Sequence, residues 1–164
     1  MIKTILTSYT SYNIWANKKM MDTIALLPND MQDMALQTSF PSLRKTVYHI
    51  WDAQVIWLSR LNGISLTTWP SETYGDNFEG YEIYFIKHCE EFDQFVKNKS
   101  EDYLESIIRY SSLNGKEFQS RAWQIIMHCM NHGTYHRGQL IIMLRNLGIT
   151  ELPQTDYIFY LREQ

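Results

Sequence analysis

Residues 121–148 read RAWQIIMHCMNHGTYHRGQLIIMLRNLG, and this stretch decides the fold. Ile125, Cys129, His132, His136, Leu140, Met143 and Leu147 follow one another at three- and four-residue spacings, the repeat of a single helix face. No proline interrupts the run, and Gly148 supplies a C-terminal stop. The stretch predicts one long helix from about Arg121 to Leu147, with two histidines standing in its apolar line.

Three more helices are predicted upstream. The first runs from about Lys3 to Leu27, with Ile5, Tyr9, Tyr12, Ala16, Met20, Ile24 and Leu27 in its stripe. Pro28-Asn29-Asp30 stops it, and residues 29–40 read as a polar connection. The second runs from about Ser42 to Asn62, with Pro41 in a favoured first-turn position and Gly63 as its stop. Trp51, Val55, Ile56 and Leu58 make it apolar nearly all round, as in a helix buried on several sides. The third starts near Asn77, a good N-cap, carries Phe78, Tyr81, Phe85, Cys89, Phe92 and Val96, and ends around Lys97-Asn98-Lys99.

Between the third and last helices, Ile107–Ser111 and Lys116–Gln119 flank Leu113-Asn114-Gly115. Asn-Gly between two β-prone runs is a strong hairpin signal. The tail, 149–164, reads as extended and aromatic. The expected fold is all-α: a four-helix bundle with a small β-hairpin before the last helix, in a single domain spanning 1–164. Long connections after the first two helices leave the topology open.

Composition narrows the function. The chain has 164 residues and a net charge of −3. A mildly acidic chain with scattered Lys and Arg lacks the electrostatic footprint of a nucleic-acid binder. Two cysteines are too few for a disulfide framework. The first residues are too broken by Thr and Ser for a signal sequence, and no apolar run is long enough to span a membrane. The expectation is a cytoplasmic protein. Phosphate loops, dinucleotide fingerprints and the G-x-S-x-G elbow are missing from the sequence.

The histidines carry the chemistry. His128, His132 and His136 recur every four residues on the last helix. Neighbours at that spacing can share one ion, but the outer two stand about 12 Å apart along the axis, too far for a third bond. His132 and His136 lie in the apolar line, whereas His128 falls at its edge. A third ligand must come from another helix. His49, on the most buried-looking helix, ranks first, and His88 ranks second. His49, His132 and His136 would leave open positions for water, as in catalytic metal sites. From spacing alone, hydrogen-bonded core histidines are the commoner explanation. Cys89 and Cys129 read as core residues. Asp52, one turn from His49, is a candidate to orient it, and Tyr135 and Gln139 are candidate neighbours.

The segment Asn131-His132-Gly133-Thr134-Tyr135-His136-Arg137-Gly138-Gln139-Leu140 resembles the signature of the DinB/YfiT-like proteins, bacterial metal-binding four-helix bundles. Tyr12-Asn13-Ile14-Trp15-Ala16-Asn17, His49-Ile50-Trp51-Asp52, Trp57–Gly63 and Pro153 with Asp156-Tyr157 fit the same family. The resemblance implies metal ligands at His49, His132 and His136, zinc or nickel as the ion, and water at open positions. It also implies a homodimer. Some members are thiol S-transferases or isomerases that use low-molecular-weight thiols. Two functions are therefore expected: a metal-dependent thiol transferase or hydrolase acting on a small molecule, or a non-catalytic metal-binding stress-response module.

Overall fold

The computed structural model describes residues 1–75 and 78–164. Four long helices form the body: α1 (Ile2–Ile24), α3 (Leu43–Leu61), α4 (Tyr81–Lys97) and α6 (Ala122–Asn146). Short helices α2 (Asn29–Gln32), α5 (Glu101–Glu105) and α7 (Tyr157–Arg162) join or follow them. An antiparallel pair, β1 (Ile107–Ser111) and β2 (Glu117–Arg121), precedes α6. This is the helical bundle with a hairpin that the sequence predicts. Among the described residues no helix is long and apolar enough to cross a membrane.

α1 and α3 each pack against both α4 and α6, so the first two long helices sit diagonally. Residue pairs give the directions. Thr10 reaches Asp93 and Lys18 reaches Glu90, so α1 and α4 run antiparallel. Thr46 meets Met143 and Trp57 meets His128, so α3 and α6 also run antiparallel. Tyr48 packs on Tyr81 and Trp51 on Phe85, so α3 and α4 are parallel. The order is up-down-down-up, which the long connections 25–42 and 62–80 make possible.

Local chemistry explains the boundaries. Ser42 caps α3 by accepting the Lys45 amide, which places Pro41 before the cap rather than in the first turn. α4 starts at Tyr81, after Gly80 in a left-handed conformation (φ 74°). The Asn77 cap expected from sequence lies outside the described residues. In the hairpin, the Gly115 amide donates to the Ser112 carbonyl and Gly115 has φ 80°, a three-residue loop whose left-handed position takes the glycine rather than the two-residue turn that Asn-Gly favours.

Two expectations need correction. Leu6, not Ile5, enters the core of α1, and Ile5 is 56% exposed. The tail is not wholly extended, because α7 folds back on α1. Tyr12 donates to the Thr155 carbonyl, Trp15 donates to Glu163, and Tyr160 packs edge-on to Tyr12 and Trp15. A six-residue helix is too short to show periodicity and is held by these tertiary contacts.

One apolar cluster fills the end of the bundle containing Ile24, Val47, Phe85 and Leu144, and another the end containing Leu6, Phe92, Leu104 and Ile126. A polar layer lies at the middle: Asn13, Asn17, Gln54 and Arg137 are all buried. The candidate site is at this level, on the side where α3 meets α6.

Candidate metal centre

His132 and His136 project from α6 toward α3, and His49 projects from α3 to meet them. The His132 Nε2 lies 3.1 Å from His49 Nε2 and 3.0 Å from His136 Nε2. One ligand atom from each of the three lies within 4.8 Å of the others. Two nitrogens bonded to one ion at about 2.0–2.1 Å stand about 2.9 Å apart at a right angle and about 3.3 Å apart at the tetrahedral angle. The two spacings to His132 fall in that range. Three converging ring nitrogens crowd their lone pairs unless a proton or a cation lies between them. The three histidines therefore fit a divalent metal and could hold one.

Neighbouring groups fix the rings. The Gln139 Oε1 is 2.7 Å from His136 Nδ1, so Nδ1–H donates to the amide and leaves the Nε2 lone pair free to bind. Gln139 Nε2 in turn donates to Ser39 Oγ at 3.4 Å. Phe40 stacks on His49 with ring centroids 4.0 Å apart and meets His136 edge-on. Tyr135 also meets His136 edge-on, with centroids 4.9 Å apart. The connection before α3 is thus part of the site, although it reads as a plain polar linker in the sequence.

Burial, and after it the mutual repulsion of the rings, keeps the imidazoles neutral. His49 is pushed down to about 4 and His132 to about 3 from an ordinary value of 6.5. His136 is lowered by burial, with Gln139 opposing. Neutral imidazole is the metal-binding form. The folded state resists protons that the unfolded chain accepts, so this stability is present above about pH 6.5 and is lost as pH falls through the folded values. The metal-free protein should therefore show a lower urea midpoint at pH 5 than at pH 7, and His132→Ala should reduce the difference. Equal midpoints at both pH values would contradict the burial of neutral histidines.

The remaining candidates lie elsewhere. His88 sits on α4 with Nδ1 3.5 Å from Glu91 and is not in the cluster. His128 is exposed, packs on Trp57 and also stays outside. Cys89 and Cys129 are buried, and burial pushes both thiols up, Cys89 to about 11. Asp52 does not orient His49: its Oδ1 accepts the Ser71 amide at 2.7 Å. Its side chain faces the loop after α3 instead.

Sequence reading missed Arg137. It follows His136 directly, but faces α1 and is 1% exposed. Its Nη1 donates to Oδ1 of Asn13 (2.9 Å) and Asn17 (3.0 Å), and its Nη2 to Thr134 Oγ1 (2.9 Å) and Tyr12 OH (3.4 Å). These four acceptors are neutral oxygens. Gly133 makes the approach possible: a Cβ there would stand 3.2 Å from both Arg137 Nη1 and Asn13 Oδ1. α6 therefore presents its ligands to α3 while Arg137 ties it to α1. Asn13, Asn17 and Arg137 all belong to motifs visible in the sequence, but a polar residue on a helix does not by itself announce a buried partner.

Comparison with known proteins agrees with this architecture. The DinB family matches residues 1–164. Protein DinB of Bacillus subtilis (strain 168) is 27% identical over 157 residues, covering 92% of this chain and 90% of that protein. The crystal structure of a DinB-like protein, YjoA, from Bacillus subtilis aligns with a TM-score of 0.66 at 17% identity, covering 90% of this chain and 97% of the other. At that identity the likeness concerns the fold.

Proposed function

The chain belongs to the DinB family, and from that premise we propose that it is a metal-dependent enzyme acting on a small molecule, by hydrolysis or by thiol transfer. The observation that carries this reading is the convergence of three neutral imidazoles from two helices, with no fourth side-chain ligand in the cluster among the described residues. Three protein donors leave coordination positions for water or substrate, whereas structural zinc sites are closed by a fourth. All-imidazole donor sets suit zinc and nickel, and zinc is the first choice because a tetrahedral site with three nitrogens is its common catalytic form.

A divalent ion held there would supply Lewis acidity, activating water or a low-molecular-weight thiol near neutral pH. The chain's own residues do the rest. His49, His132 and His136 provide the lone pairs. Gln139 keeps the His136 proton on Nδ1. Phe40 covers one face of His49 and keeps water from it. A cavity of about 610 Å³ has His49 in its wall, a size suited to a small substrate.

The zinc-loaded protein, assayed on p-nitrophenyl acetate with and without cysteine as thiol, tests the reading. Turnover that disappears in His132→Ala is expected, and acceleration by thiol would select transfer over hydrolysis. A fully loaded protein inactive on this and on a wider panel of esters, amides and alkylating electrophiles would favour the non-catalytic module.

A further inference from the structure

The cavity beside His49 has chemistry that the histidines do not account for. Phe40, Tyr48 and Trp69 form aromatic walls, and Asp52, Glu72 and Lys45 bring charge to it. Trp69 is 40% exposed, an unusual position for an indole with no core to fill, and its ring lies 6.0 Å from that of His49. Asp52 is 4% exposed yet belongs to the cavity wall. It is anchored by the Ser71 amide from the turn that also carries Glu72. Burial, and after it Glu72, pushes the Asp52 carboxyl up, while Ser71 opposes the shift. The Lys45 ammonium, also in the wall, lies over the Tyr48 ring, 5.8 Å from its centroid.

Among the described residues of this wall, the carboxylates of Asp52 and Glu72 outnumber the Lys45 ammonium. Its aromatic faces carry negative quadrupoles that attract organic cations. His49 also lines this cavity, and a divalent ion held by His49, His132 and His136 would bring positive charge to that part of the wall. Resting on the metal-centre reading above, we propose that the cavity binds substrates with a flat apolar body and a cationic nitrogen, an amine or quaternary ammonium received by Asp52, Glu72 and Trp69, with the reacting group directed to its His49 side.

The test is calorimetric titration of the zinc-loaded protein with benzyltrimethylammonium and with benzyl alcohol, with metal content measured on the same samples. The quaternary cation cannot coordinate a metal, so its binding reports the wall alone. The cation should bind at least about tenfold more tightly than the alcohol. Asp52→Asn should weaken the cation about fivefold or more and leave the alcohol unchanged, and Trp69→Ala should weaken the cation more than the alcohol. Glu72 is exposed, so Glu72→Gln tests the charge should Asp52→Asn fail to fold.

Equal affinities for the two probes, no binding of either, or cation binding unchanged in both carboxamide variants would overturn the proposal. Metal content separates the two readings. A protein that binds zinc but shows no cation preference refutes the substrate inference alone. One that prefers the cation but takes up no zinc refutes the metal centre alone.

Discussion

Replacing His132 by alanine should abolish stoichiometric metal binding, and replacing His49 should do the same although it lies on a different helix. His132 is the hub: its Nε2 is the atom within 3.1 Å of one partner and 3.0 Å of the other. Removing it leaves two imidazoles, and a two-nitrogen site in competition with water is weaker by orders of magnitude. Ligand binding stabilises a fold by about 2.7 kcal/mol when the ligand is at a hundred times its Kd. Added zinc should therefore raise the melting temperature of the wild type and leave both variants unmoved. The fold should survive, because His49 and His132 are half-buried at the edge of two apolar clusters that do not include them. Gln139→Ala should fall between these extremes, since loss of an orienting partner costs about 10- to 100-fold in metal affinity. Retained stoichiometric zinc in either histidine variant would contradict the three-ligand centre.

The second large effect is on stability. Arg137→Ala should destabilise the metal-free protein by roughly 3 kcal/mol or more, lowering the melting temperature by about 6–12 °C for a chain of this size. The side chain is 1% exposed and fills the layer between the two apolar clusters. Its removal leaves a cavity and strands the Asn17 carbonyl, while Asn13 Oδ1 keeps the Asn17 amide and the Thr134 and Tyr12 hydroxyls keep the Met130 and Thr155 carbonyls. Each buried acceptor without a donor costs about 1–3 kcal/mol. The charge itself is expensive to bury, which offsets part of that loss. Arg137→Met separates the contributions: it restores volume but no donors, and should recover only part of the stability. An urea midpoint for Arg137→Ala equal to that of the wild type would show that the four hydrogen bonds contribute nothing net.

These two residues, neighbours of different legibility, show what a sequence can reveal. His132 and His136 were visible because they occupy positions where the helix repeat demands apolar side chains. His49 was reachable because its helix is apolar on nearly every side. Their meeting point needed the structure, since the up-down-down-up order that brings α3 against α6 is not written in either helix. Arg137, Asn13 and Asn17 were hidden because a buried polar layer and a solvated face look alike without the partner across the interface. Asp52 shows the opposite error. Its spacing from His49 suggested contact, but a carboxylate can turn toward any nearby donor, and Asp52 accepts the Ser71 amide. Phe40 and α7 lie in segments held by tertiary contact rather than by local periodicity.

The central claim is that one divalent ion binds where α3 meets α6. Native mass spectrometry of the untagged wild-type chain, after reconstitution with zinc and removal of the excess, tests it most directly. One zinc per chain is the predicted result. A chain that stays metal-free after reconstitution with zinc, and again with nickel, would contradict it and return the three histidines to the role of hydrogen-bonded core residues.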